Sequence, residues 1–95
     1  VPHVTTALFQ SDPNPFNPAT RIRFRLSHAM DVTLKVYDSA GHHVATLLNE
    51  NVGGGEHVAT WDGRSITGAQ VGSGIYFYKL QTEEGSLTHR MVLLR

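Results

Sequence analysis

Cysteine is absent from this sequence. That excludes disulfide staples, thiol nucleophiles and thiolate metal sites. The 95 residues must therefore hold together by packing alone. A chain of this length makes one domain and buries roughly 60–65% of its unfolded surface, enough for a modest core. An excess of either charge is also missing, with 8 Lys+Arg against 8 Asp+Glu. Such a chain lacks the field that draws a protein to nucleic acid, so no nucleic-acid partner is expected. No apolar run approaches the ~20 residues of a transmembrane helix, so the chain is not expected to span a membrane. It begins with Val1 and shows no signal peptide, and we read it as a segment of a longer protein.

What the sequence does have is alternation. In residues 20–27, Ile22, Phe24 and Leu26 fall on one side and Arg21, Arg23 and Arg25 on the other. Residues 31–38 repeat the pattern, with Val32, Leu34 and Val36 against Thr33, Lys35 and Tyr37. Ser39-Ala40-Gly41 reads as a tight turn returning the chain as a strand over residues 43–48. There Val44 and Leu47 break strict alternation and predict a bulge or a switch between sheets. Residues 49–55 read as a loop, and residues 56–62 as a strand with His57, Ala59 and Trp61 on one face. After a Gly-rich loop, residues 75–82 place Tyr76, Tyr78 and Leu80 on a shared face. Glu83-Glu84-Gly85 turns the chain into a last strand over residues 87–94, whose Met91-Val92-Leu93-Leu94 is expected to be covered on both faces.

Residues 6–10 could pair as a short first strand, and residues 1–10 are in part linker-like. In residues 11–20, Pro13, Pro15 and Pro18 each fix φ and remove a backbone donor, so this segment is a stiff connector. Phe16 is its one apolar anchor, expected to plug the end of the fold. The whole reads as a single domain over residues 1–95. Its class is all-β, an antiparallel immunoglobulin-like β-sandwich of about seven strands.

Little in the sequence points to reaction chemistry. The 6 His are scattered without a helical metal spacing, and His57 and His89 read as hydrogen-bonded structural residues. Gly72-Ser73-Gly74 lacks the nucleophile-elbow pattern, and Gly53-Gly54-Gly55 lacks the Lys-Ser/Thr of a phosphate loop. No catalytic residue and no cofactor is assigned. The loop after Trp61 fails the EF-hand spacing, because Arg64 and Ile66 stand where oxygen donors are needed. An irregular calcium site drawing on Asp62, Asn14 or Asn17 is the one metal reading left, against a turn in which Asp62 bonds the backbone. The stripe Arg21, Arg23, Arg25 reads as a solvated face that discourages edge pairing, with anionic sugars or lipid head groups as the alternative. No aromatic is interleaved on it.

Several segments resemble a known family. NPFNPAT at residues 14–20, TLKVYDSAGHHVATL at 33–47, GEHVATWDG at 55–63, GSGIYFYKL at 72–80 and RMVLLR at 90–95 are similar, in order, to the C-terminal sorting domain of the type IX secretion system. Residues 31–82 also resemble the immunoglobulin-like domain of the flagellar hook-capping protein. Ser65 departs from the sorting family's frequent second acid after Trp-Asp-Gly. The resemblance implies a non-catalytic tail behind an upstream passenger, often a hydrolase. It implies export through the periplasm, recognition by outer-membrane secretion machinery, and removal by a sortase-like peptidase. The protein would then be secreted or held at the cell surface. Partner recognition is expected on Arg90, Met91, Val92, Leu93, Leu94 and Arg95 by addition to the final strand's edge, with Gly74 and Tyr76 shaping the neighbouring strand. An accessory carbohydrate-binding or structural module is the alternative.

Overall fold

A computed structural model describes residues 5–17 and 19–95. Its strands are β1 (Ala7–Leu8), β2 (Thr20–Leu26), β3 (Met30–Asp38), β4 (His43–Val52), β5 (Gly55–Trp61), β6 (Gly74–Thr82) and β7 (Gly85–Leu93). They form a three-stranded sheet, β1-β2-β5, and a four-stranded sheet, β4-β3-β6-β7, with every strand pair antiparallel. The all-β sandwich expected from the alternation is the fold observed. Val1 to Val4 and Pro18 lie outside the described residues, and so does the linker reading of the first four positions.

Alternation decides which residues meet in the middle. Ile22, Phe24 and Leu26 from one sheet face Val32, Leu34, Val36, Tyr78, Leu80, Met91 and Leu93 from the other, all buried. The two bulges fall where the pattern stumbled. Leu47 is the extra residue between the pairs Leu34–Leu48 and Lys35–Thr46, and Val44 lies between Val36–Ala45 and Tyr37–His43. Bulging lets Val44 and its neighbour Ala45 both be buried.

Two expectations are corrected. Residues 49–52 are not loop. They extend β4, with Asn49 opposite Thr33, Glu50 opposite Val32 and Asn51 opposite Asp31. Polar residues are tolerated there because β4 is an edge strand, and Asn51 Nδ2 donates to Asp31 Oδ1 at 3.2 Å. Leu94 is not covered: it lies past the end of β7 and is 53% exposed. Only Gly53 and Gly54 remain between β4 and β5, where the chain changes sheets. A side chain at Gly54 would meet the His28 backbone at 3.1 Å, a tight contact that favours glycine there.

The upper end of the sandwich is closed by aromatics. Trp61 is buried, with its ring centroid 5.6 Å from Phe16 and 5.2 Å, edge-on, from Tyr76. Its Nε1–H donates to the Arg64 carbonyl at 3.0 Å. Phe16 plugs this end as anticipated, and its backbone pairs in parallel with β7. The Phe16 N–H donates to Val92 O, and the Leu94 N–H donates to Phe16 O, each at 2.9 Å. Further down, the Tyr78 hydroxyl donates to Phe9 O and His89 Nε2 bonds Leu8 O, both at 2.7 Å. These ties draw Leu8 and Phe9 onto the second sheet. His57 is likewise structural, bonding Gly53 O at 2.6 Å.

Phe9 overturns one further expectation. It sits on the arginine face, with its ring centroid 5.2 Å from Arg23 Cζ and 5.6 Å from Arg25 Cζ. The stripe therefore does carry an aromatic, supplied by the residue that follows β1.

The lower end is polar. Thr6 and Ser27 hydroxyls donate to the Glu84 carboxylate, and His28 Nε2 pairs with Glu83 at 2.9 Å. Those hydroxyl donors, Thr6 first and Ser27 next, hold the Glu84 carboxyl below its ordinary range. At the β3–β4 turn the His42 backbone N–H, helped by that of Ala40, does the same for Asp38. Both groups favour the folded state when ionised. Their contribution is complete above the unfolded carboxylate pKa of about 4 and is lost as pH falls through the lower folded values. Urea midpoints measured across the acid range should drop with falling pH, and Glu84→Gln should flatten that drop while lowering stability at neutral pH. Trp61→Ala should cost about 3–5 kcal/mol in the same assay, as expected for removing a fully buried indole.

Candidate recognition surface

The terminal strand has two faces with different fates. Met91 and Leu93 point inward and are wholly buried. Alternation then turns Arg90 and Val92 outward, and the exposed Leu94 continues their side. Strand register carries this outward set across the sheet. Ile75 lies opposite Val92, Phe77 opposite Arg90, Tyr37 opposite Phe77, and His43 opposite Tyr37. His43, Tyr37, Phe77 and Arg90 thus form one row across all four strands, with the Tyr37 and His43 rings 5.8 Å apart. The adjacent row is Thr46, Lys35, Lys79 and Thr88.

The result is an apolar surface with a basic rim. Ile75 is 43% exposed, while Tyr37, Phe77 and Val92 are half-buried. Lys35, Lys79 and Arg90 take part in no ion pair among the described residues. Clustered outward-facing aromatic and aliphatic side chains beside an Arg make this face the candidate recognition surface. Of the expected recognition residues, Arg90, Val92 and Leu94 belong to this surface. Tyr37, Phe77, Ile75 and His43 were missed, and only strand register could have found them.

The remaining expected residues hold the domain together. Tyr76 is buried against Trp61, and its hydroxyl donates to Gly72 O at 2.7 Å. Burial, and then the Asp38 charge, push its phenol pKa up. Gly74 begins β6 opposite Leu93. The Arg95 side chain donates from Nη2 to Gly63 O at 2.7 Å and from Nε to Val71 O, while its N–H donates to Ser73 Oγ at 2.8 Å. Arg95 therefore staples the loop of residues 62–73 to the end of β7.

The upper edge of β7, expected to accept an added strand, is already occupied by the chain itself. Asn14 Oδ1 accepts from Val92 N at 2.9 Å and Gln10 Nε2 donates to Arg90 O at 2.7 Å, beside the Phe16 pairing. Asn14 is thereby committed to β7. Asp62 Oδ1 caps its own turn by accepting from Arg64 N at 3.1 Å, and Asn17 is exposed. The structure does not bring these three calcium candidates to a common centre through any hydrogen bond. No group of three His, Asp or Glu side chains is placed to hold a metal among the described residues.

One polar constellation escaped sequence reading. Ser27 Oγ lies 3.0 Å from His28 Nδ1, and His28 Nε2 lies 2.9 Å from Glu83, beside an open cavity of about 630 Å³. The order Ser-His-Glu has a hydrolase outline. However, the Ser27 hydroxyl also faces both Glu84 oxygens at 3.0 and 3.2 Å, and an ionised acceptor takes its proton in preference. The cluster works as a polar tie across the lower end.

The sequence matches the FlgD Ig-like domain over residues 11–86, most of the chain. The chain belongs to the FlgD Ig-like domain family. Among solved structures it is similar to dimeric latent PorU from Porphyromonas gingivalis, with a TM-score of 0.68 and 24% identity over 94% of this chain. It is also similar to FlgD from P. aeruginosa, with a TM-score of 0.63 and 24% identity over 78% of this chain. PorZ, an essential bacterial surface component of the P. gingivalis type-IX secretion system, matches with a TM-score of 0.59 and 20% identity over 93% of this chain. At these identities the likeness is one of fold. The FlgD-type domain spans 9% of PorU, 58% of the P. aeruginosa FlgD and 11% of PorZ. No curated protein matches it.

Arg95→Ala should loosen the staple without opening the sandwich. Amides of residues 63–73 should exchange faster by hydrogen-exchange mass spectrometry, with a global loss of about 1 kcal/mol. Unchanged protection in that loop would mean that Arg95 does not hold it.

Proposed function

We propose that this domain is a non-catalytic C-terminal sorting module that delivers a secreted protein to the cell surface or anchors it there. The observation that carries the reading is the outward set of the terminal strand, Arg90, Val92 and Leu94, merging with Ile75, Phe77 and Tyr37 into one basic-rimmed apolar face. The fold shared with PorU and PorZ, and the sorting-tail segments at residues 14–20 and 90–95, support the same reading. The partner is the outer-membrane secretion machinery, met after export of an upstream passenger, such as a hydrolase, through the periplasm. A sortase-like peptidase then acts on the tail. Recognition is of a folded surface: the sandwich holds Phe77 and Val92 on rigid strands, so docking requires little further ordering.

The family match favours a second reading, a structural unit in a flagellar hook assembly. A glycan-binding accessory role has less support, because Tyr37 and His43 are tilted by 54° and do not make a flat stacking platform.

Substitution tests the reading better than truncation, because Leu93 is core and its deletion would unfold the domain. A reporter with an export signal, fused ahead of this domain in a bacterium with a type IX system, should reach the cell surface. Phe77→Ser combined with Val92→Thr and Leu94→Ser should hold the reporter in the periplasm while circular dichroism and protease resistance stay native. Normal surface delivery of that variant would sink the proposal. Incorporation of the wild-type domain into hook structures would favour the flagellar reading instead.

A further inference from the structure

The opposite side of the sandwich carries a second basic surface, on the outer face of the three-stranded sheet. Arg21, Arg23 and Arg25 alternate with the wholly buried Ile22, Phe24 and Leu26, which turns all three guanidinium groups away from the core. None is ion-paired among the described residues. Their placement is built rather than loose. Phe9 is pinned by its N–H to Arg23 O at 3.0 Å and by the Tyr78 hydroxyl on its carbonyl, and its ring braces Arg23 and Arg25. Arg25 Nε donates to Thr5 O at 2.9 Å, which leaves its terminal nitrogens available.

The shape of this charge selects its partner. Alternate residues on a strand are about 6.5–7 Å apart, so the three guanidinium groups make a column about 13–14 Å long. Acids flank the column on both sides: Asp12 lies opposite Arg21 through a backbone bridge on one flank, and Glu56 lies opposite Arg25 on the other. A flat anionic membrane pressed on this face would meet both acids together with the arginines. A single chain lying along β2 would meet the arginines alone, passing beside Val58, which is 57% exposed opposite Arg23. Because guanidinium groups already lie over Phe9, the ring is not a bare platform for stacking a sugar or a base. Attraction must come from charge and from the forked donors of arginine.

We propose that the Arg21–Arg23–Arg25 column binds a linear acidic polysaccharide, with successive carboxylate or sulfate groups bridging successive guanidinium groups. The site is separate from the sorting surface and does not depend on that role. Recognition is of spaced negative charge, so binding is salt-sensitive and tolerant of sugar identity.

Affinity electrophoresis and calorimetry on the 95-residue chain test it, using polygalacturonate, dextran sulfate and neutral dextran as probes. Both acidic polymers should bind, neutral dextran should not, and added salt should weaken binding. Arg21→Gln with Arg23→Gln and Arg25→Gln should lower affinity by at least about tenfold, whereas Lys35→Gln with Lys79→Gln on the other face should leave it unchanged. If the triple variant does not fold, Arg21→Gln alone, which does not touch Phe9, should lower affinity by about threefold. Equal binding by wild type and arginine variants would overturn the proposal, and so would equal losses on the two faces. Tighter binding to single-stranded DNA or to phosphatidylglycerol vesicles than to the acidic polysaccharides would overturn it as well.

Discussion

The seating of Phe16 against Trp61 is the contact on which this structure rests. A chain without disulfides closes the open end of a two-layer sandwich with side chains, and here three aromatic rings do so in sequence: Phe16, Trp61 and Tyr76. The proline-rich connector makes this possible. Pro13 and Pro15 have no N–H to leave unsatisfied as the segment crosses the sandwich end, and Asn14 supplies the acceptor that Val92 needs. Phe16 then joins the connector to β7 by backbone as well as by ring. The loop after Trp61, the start of β6 and the end of β7 all take their positions from this arrangement, with Arg95 holding the loop against it.

From this closure follows a division of labour along β7. One side of the strand is spent on the core, through Met91 and Leu93. The outer edge of its upper half is spent on the connector, through Val92 and Leu94 backbone groups. What remains uncommitted is the outward face, where Arg90 and Val92 lie beside Ile75, Phe77 and Tyr37. Strand addition, the expected mode of recognition at residues 90–95, finds the upper edge already filled by the chain's own segment. Alternation likewise separates two basic surfaces on opposite sides of one small domain, with unlike surroundings: apolar around Lys35, Lys79 and Arg90, acid-flanked around the arginine column.

Much of the fold was legible because alternation is a local signal. Ile22, Phe24 and Leu26, and Val32, Leu34 and Val36, declare their inner face without reference to anything distant. The bulges at Val44 and Leu47 were legible for the same reason, as local breaks in period. The extension of β4 was hidden because Asn49, Glu50 and Asn51 are polar, and edge strands need little apolar patterning. The candidate surface was half legible. Arg90, Val92 and Leu94 lie in one stretch, but their neighbours Phe77, Tyr37 and His43 come together only through the register of three strand pairs. Phe9 was hidden among the arginines in the same way: it reaches β2 from the segment just after β1. Ser27 and His28 are adjacent in sequence, but Glu83 is distant and meets them only because two turns share the lower end.

The parallel pairing of Phe16 with Leu93 bears on how the domain responds to force. Tension that pulls residues preceding the connector in one direction, while the terminal strand is gripped and drawn the other way, would act along these two adjacent segments in opposite senses. Hydrogen bonds from Phe16 to Val92 and from Leu94 to Phe16 would then be sheared together rather than peeled one at a time. Load along that axis would thereby be borne by both bonds at once, so the pairing resists it as a unit.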